Sequence, residues 1–188
     1  MPVSAIPFAM PQAAEIPAEI TASLQAMEPP AAVARGLELL QGIDAAATMI
    51  YECVDANGAL QLGCIISQDN ADALTQQLGQ AAFYGQPLDA ASDSLTGRAL
   101  DADSALLVLG QAGPGDEVPL PEQLKDHLLQ SDPGGNIGFL YILPLQTDDG
   151  RTLGSITLIR PAAAGPLNHE QPNLTQAVRQ ILCDIVAR

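Results

Sequence analysis

The sequence has no tryptophan and only three phenylalanines and three tyrosines in 188 residues. Hydrophobic residues still make up 47% of it, so the core must be aliphatic, built from Leu, Ile, Val and Ala. Positive charge is scarce as well: seven Lys plus Arg stand against 22 acids, for a formal net charge of −15. Such a field repels nucleic-acid phosphates and anionic lipid, which argues against binding to nucleic acid or membrane and favours a soluble surface. No apolar run reaches the ~18 residues that a membrane-spanning helix needs. Residues 1–34 contain no Lys or Arg, so the basic start of a secretory signal is missing. A cytoplasmic protein, or the soluble portion of a larger one, is the expectation.

Reactive constellations are also missing. Cys53, Cys64 and Cys183 are an odd number without CxxC spacing. Cys53 and Cys64 fall diagonally on paired strands, where Cα atoms are ~7–8 Å apart, too far for an easy disulfide. Reduced, buried thiols are expected. His127 and His169 each lack a spaced Cys, His or acid partner, so no metal site is read. No G-x-S-x-G elbow occurs, and "GQAGPG" and "DPGGN" lack the spacing of a phosphate loop. The acid pairs Asp148-Asp149 and Asp101-Asp103 sit in turns, where Asp supports the backbone.

What the chain does contain is an alternation of periods. Residues 1–30 form a Pro- and Ala-rich arm, with a short helix expected from Ala18 to Met27 on the stripe Ile20, Leu24, Met27. Val33, Leu37 and Leu40 mark a helix from Ala31 to Ile43, and Pro30 suits its first turn. "AATMIYECV" and "ALQLGCII" read as a hairpin that puts Met49, Tyr51 and Cys53 on the face of Leu62, Cys64 and Ile66. Helices are expected at residues 67–79, near 94–100 and near 121–130, with a strand at 105–109. The strongest periodicity closes the chain, at Leu174, Ala177, Val178, Ile181, Leu182, Ile185 and Val186. No stop signal ends that helix, so it is expected to continue in a longer chain. This order describes an α+β domain with a mostly antiparallel sheet.

The segment "GFLYILPLQTDDGRTLGSITLIR" carries the functional question. A two-residue loop near Asp148-Asp149 or Asp149-Gly150 would place Phe139, Tyr141, Leu143, Gly154, Ile156 and Leu158 on one face. Leu140, Ile142, Leu153, Ser155, Thr157 and Ile159 would share the other. The first face suits packing against helices. Two small hydroxyls among aliphatics suit a lined cavity, although Thr is also an ordinary strand former.

This segment is similar to the closing hairpin of GAF domains. "SLTGRALDADSALLV" resembles their helix-turn-strand entry, and "LNHEQPNLTQAVRQILCDIVAR" resembles their last loop and helix. The resemblance spans residues 31–188, with residues 1–30 as a separate arm. It implies a central antiparallel sheet of about five to six strands, with the N- and C-terminal helices on one face and a ligand pocket on the other. It further implies a non-catalytic small-molecule sensor, signalling through its terminal helices as the input part of a histidine kinase or similar protein. On the family layout, Ser155, Thr157, Leu140 and Ile142 would line the pocket, under a roof bearing Phe83, Tyr84, Arg98 and His127. Leu174, Val178, Ile181 and Ile185 would form the dimer and signalling helix of a homodimer. No cyclic-nucleotide, bilin, haem or metal signature is present, so the ligand stays unassigned. The other reading is a dimerisation module with a collapsed pocket.

Overall fold

Pro29 and Pro30 open a helix because their ring-fixed φ suits the first turn, where their missing N–H groups have no helical partner. The computed structural model describes residues 4–54, 60–66, 106–112, 137–168 and 170–188. Its elements run β1 (Ser4–Pro7), α1 (Ala18–Gln25), α2 (Pro29–Ile43), β2 (Thr48–Val54), β3 (Leu60–Ile66), β4 (Leu106–Ala112), β5 (Ile137–Gln146), β6 (Thr152–Pro161) and α3 (Gln171–Val186). The described strands form a six-stranded antiparallel sheet in the order β1-β4-β5-β6-β2-β3. This is the expected α+β architecture, with the N- and C-terminal helices on one face. The helices expected at 67–79, 94–100 and 121–130 lie outside the described residues.

Helical spacing buries Ala32, Val33, Gly36, Leu37 and Leu40 of α2. Gly36 brings α3 close, since a Cβ there would stand 2.9 Å from Leu182 Cδ1. α3 starts on a capping box. Asn168 Oδ1 accepts the N–H groups of Glu170 and Gln171 at 3.0 Å, and Gln171 Oε1 accepts that of Asn168 at 2.8 Å. Leu37, Leu40, Val178, Leu182 and Ile185 share one core with Met49, Tyr51, Tyr141, Leu143, Ile156 and Leu158 of the sheet.

The arm also belongs to this layer. The structure seats it on the domain's own sheet and core. β1 pairs with β4 at the sheet edge, and Phe8 meets Tyr141 edge to face with centroids 5.3 Å apart. The Ala14 N–H bonds Asn173 O at 2.9 Å, and α1 buries Leu24. The reason lies in Phe8, Met10, Ile16 and Ile20, whose apolar surface packs against the core.

Strand parity holds except where a bulge shifts it. The loop of the β5–β6 hairpin has three residues, not two. The Thr147 N–H bonds Arg151 O at 3.0 Å, and Gly150 takes a φ of 83°. Just beyond, Leu145 pairs with Gly154 but Gln146 pairs with Thr152. The extra residue, Leu153, thereby joins the helix-side core, opposite to its expected face. A second bulge in β2–β3 puts Cys53 opposite Gln61 and Leu62 opposite Glu52, one step from the expected register.

Two contacts tie β6 to its surroundings, one to the neighbouring strand and one to the end of α2. Gly154 has a φ of 151°, and a Cβ there would overlap the Glu52 carbonyl oxygen on β2. At the far end, Arg160 on β6 and Asp44 after α2 form a buried ion pair of 2.6 Å, and Arg160 also donates to Gly165 O. Gly154→Ala is expected to cost about 2–5 kcal/mol, through strain and overpacking together. Urea denaturation reads this; a loss under ~1 kcal/mol would mean that β2 and β6 are not in close contact at Gly154. Asp44→Ala strands a buried guanidinium and is expected to cost about 3–5 kcal/mol. Arg35→Ala breaks only the exposed Arg35–Glu38 pair and should cost under ~1 kcal/mol in the same assay.

Candidate functional site

β6 lies between β5 and β2, so its alternate residues meet neighbours on both sides. On the face away from the helices, this pairing forms three rows. Pro144, Ser155 and Glu52 make the first, Ile142, Thr157 and Ile50 the second, and Leu140, Ile159 and Thr48 the third. Four of the expected liners therefore come together: Leu140 and Thr157 are 3% exposed, Ile142 1% and Ser155 0%. Phe83, Tyr84, Arg98 and His127 lie outside the described residues.

The structure adds a residue that the sequence reading passed over. Glu52 is 6% exposed, and one of its oxygens accepts a hydrogen bond from Ser155 Oγ at 2.6 Å. A buried carboxylate is costly unless donors satisfy it, and Ser155 is one of its partners. Two residues along β6, Thr157 is 3% exposed and lies between its register partners Ile142 and Ile50. The signal for Glu52 was present in "TMIYECV", where it is the one charged residue inside an apolar strand and alternates with Met49, Tyr51 and Cys53.

The other face holds a second feature. An open apolar groove of about 270 Å³ lies between the start of α2, the end of α3 and the β2–β3 pair, lined by Pro29, Val33, Tyr51, Cys53, Cys64 and Val186. Burial, and then the neighbouring Cys53, pushes the Cys64 thiol up to about 12. Burial likewise raises Cys183, and it raises Tyr51 with further contributions from all three cysteines. Cys53 and Cys64 lie with Tyr51 in the lining of this groove, and all three cysteines pack against the core.

On α3, Val178 and Ile185 are 2% and 1% exposed and face the domain's own core, while Leu174 and Ile181 are half-buried. Among the described residues, no cluster of three or more His, Cys, Asp or Glu is placed to hold a metal ion. No helix among them is long and apolar enough to cross a membrane.

No family model and no curated protein matches the sequence. Solved structures do. The GAF domain of a phosphoenolpyruvate-protein phosphotransferase from Coxiella burnetii has a TM-score of 0.61 at 14% identity, covering 90% of this chain and 89% of that one. A GAF domain/HD domain protein from Geobacter sulfurreducens has a TM-score of 0.59 at 12% identity, covering 86% and 94%. The GAF domain of the cyanobacteriochrome TePixJ has a TM-score of 0.54 at 12% identity, covering 88% and 93%. Six antiparallel strands with their terminal helices on one face, matched along nearly all of both chains, are the GAF fold, and this chain has it.

Proposed function

We propose that this chain is a regulatory, small-molecule-sensing domain of a signal-transduction protein, such as the input part of a histidine kinase. The observation that carries the reading is the polar group Glu52–Ser155, buried with Thr157 among Ile50, Leu140 and Ile142 on the face opposite the helices. Fold likeness to GAF domains of a phosphotransferase and a cyanobacteriochrome supports it. β6 supplies the coupling. Ser155 and Thr157 face the site, while Ile156 and Leu158 lie in the core that holds Val178 and Leu182 of α3. A ligand that binds two states of the site unequally biases the position of that helix; one that binds both equally signals nothing. The reading includes a cytoplasmic homodimer, formed along the half-buried margin of α3 at Leu174 and Ile181. The thiols support regulation over thiol catalysis: at neutral pH a thiol raised to about 12 stays protonated and is a poor nucleophile.

The near-complete burial of Ser155 and Ile142 favours one other reading, a collapsed pocket in a domain that only dimerises.

Native mass spectrometry, repeated after mild denaturation, separates the two. The expected result is a small mass retained only in the native spectrum and lost in Thr157→Leu. An apo spectrum, together with a Thr157→Leu loss of about 1–3 kcal/mol from overpacking, would select the collapsed pocket. The same spectrum is expected to show a dimer that dissociates in Leu174→Lys/Ile181→Lys. Ile185 is unsuited to that test because it is part of the core.

Thiol reactivity gives a separate check. Iodoacetamide at pH 8 should alkylate Cys64 at least about tenfold more slowly than a free cysteine. Because the folded thiol titrates above the unfolded one, stability should hold below pH 9 and fall as pH rises from about 9 toward about 12. Fast alkylation of Cys64 in the folded protein would contradict a buried, protonated thiol and favour thiol chemistry over regulation.

A further inference from the structure

The apolar groove lies on the helix side of the sheet, so what it holds is independent of the sensing site proposed for the other face. Its form begins with the β2–β3 bulge. Tyr51 pairs with Cys64 and Glu52 with Leu62, which leaves Gly63 as the extra residue. Gly63 makes room for the Tyr51 ring, since a Cβ there would overlap the ring carbon Cδ1. The ring settles over the glycine, 7% exposed, and becomes one wall of the groove. Cys53 and Cys64 extend that wall along the sheet. Pro29, which opens α2, and Val186, which ends α3, supply the helical walls.

Volume and polarity together restrict the occupant. An apolar cavity of ~150 Å³ stays dry and admits benzene. At about 270 Å³, this groove has room for one ring with a short substituent. Among the described residues, no charged side chain lines it. Its ionisable groups do not supply charge either: burial, then Cys53, pushes the Cys64 thiol up to about 12, and burial raises Tyr51. Cys53 and Cys64 act there as small, polarizable apolar residues. An ion entering the groove would lose water and find no opposite charge to offset that loss. We infer that the groove is a binding site for a small, neutral, apolar molecule the size of one substituted ring. Such a molecule touches the start of α2, the end of α3 and the β2–β3 pair at once, and by binding only the folded domain it stabilises that arrangement.

Three probes with one ring and different heads test this: benzyl alcohol, benzylammonium and benzoate. Each is titrated into the full chain at pH 7 and fixed ionic strength, and amide chemical shifts provide the dissociation constants. The alcohol should saturate at least about tenfold more tightly than either ion, because the ions must give up water without a counter-charge. Its shifts should centre on Val33, Tyr51, Gly63, Cys64 and Val186. Val186→Trp fills the groove and should abolish saturation, whereas Val186→Ala leaves it open and should keep it. The thiols give an independent readout in the unaltered chain, which decides should Val186→Trp fail to fold. At pH 9 the bound alcohol should slow alkylation of Cys53 and Cys64 and leave Cys183, which does not line the groove, unchanged.

The inference is overturned if an ion binds as tightly as the alcohol, if none of the three saturates, or if saturation survives in a folded Val186→Trp. Equal protection of all three cysteines, or of none, would also overturn it, by placing the alcohol elsewhere. Shifts at the same residues that grow with protein concentration in the absence of any probe would make a second copy's side chain the occupant. None of these results bears on the sensing reading, which native mass spectrometry and Thr157→Leu test on the opposite face.

Discussion

The antiparallel ladder that holds β6 between β5 and β2 is the constraint on which the rest of this domain depends. A strand with neighbours on both sides can only point its side chains up or down. Ile156 and Leu158 go down into the helix-packed core, and Ser155 and Thr157 go up. The close approach at Gly154 fixes the register, because no side chain fits between that Cα and the Glu52 carbonyl. A one-residue slip would exchange the two faces, burying hydroxyls against α3 and turning aliphatics into the site. The pairing of Ser155 with Glu52 is a consequence of the same ladder, since those two residues are register partners.

The helical layer makes that ladder stiff. α2 and α3 meet closely at Gly36 and Leu182, Arg160 is tied to Asp44, and the N-terminal arm crosses the layer with Phe8 on Tyr141. In addition, Tyr141 accepts the Leu167 N–H at 2.9 Å, which holds the connection into α3. Dense packing of this kind transmits displacement and does not absorb it. On the proposed sensing reading, that property would carry a change on one face of β6 to a helix on the other.

Much of the framework was legible in the linear pattern. Helical spacing located α1, α2 and α3 to within a few residues, and alternation located both long hairpins. The face assignments of Leu140, Ile142, Ser155 and Thr157 followed from parity alone. The misreadings occurred at single-residue insertions. Leu153 changed face because a bulge follows the Gly150 turn, and Cys53 moved to Gln61 because of another in β2–β3. A bulge depends on how two strands settle against a third layer, and no local propensity announces it.

Charge scarcity, an aliphatic core and the periodicity of each element were determined by the sequence itself, because composition and spacing are local properties. Tertiary structure alone decided that Glu52 meets Ser155, 103 residues away, that the arm closes the helical layer, and that Val178 and Ile185 serve the core and not the outer surface of α3. Each of these follows from which apolar surfaces find one another across long separations. Burial energy depends on the assembled partner, and a residue's own neighbours in the chain do not specify it.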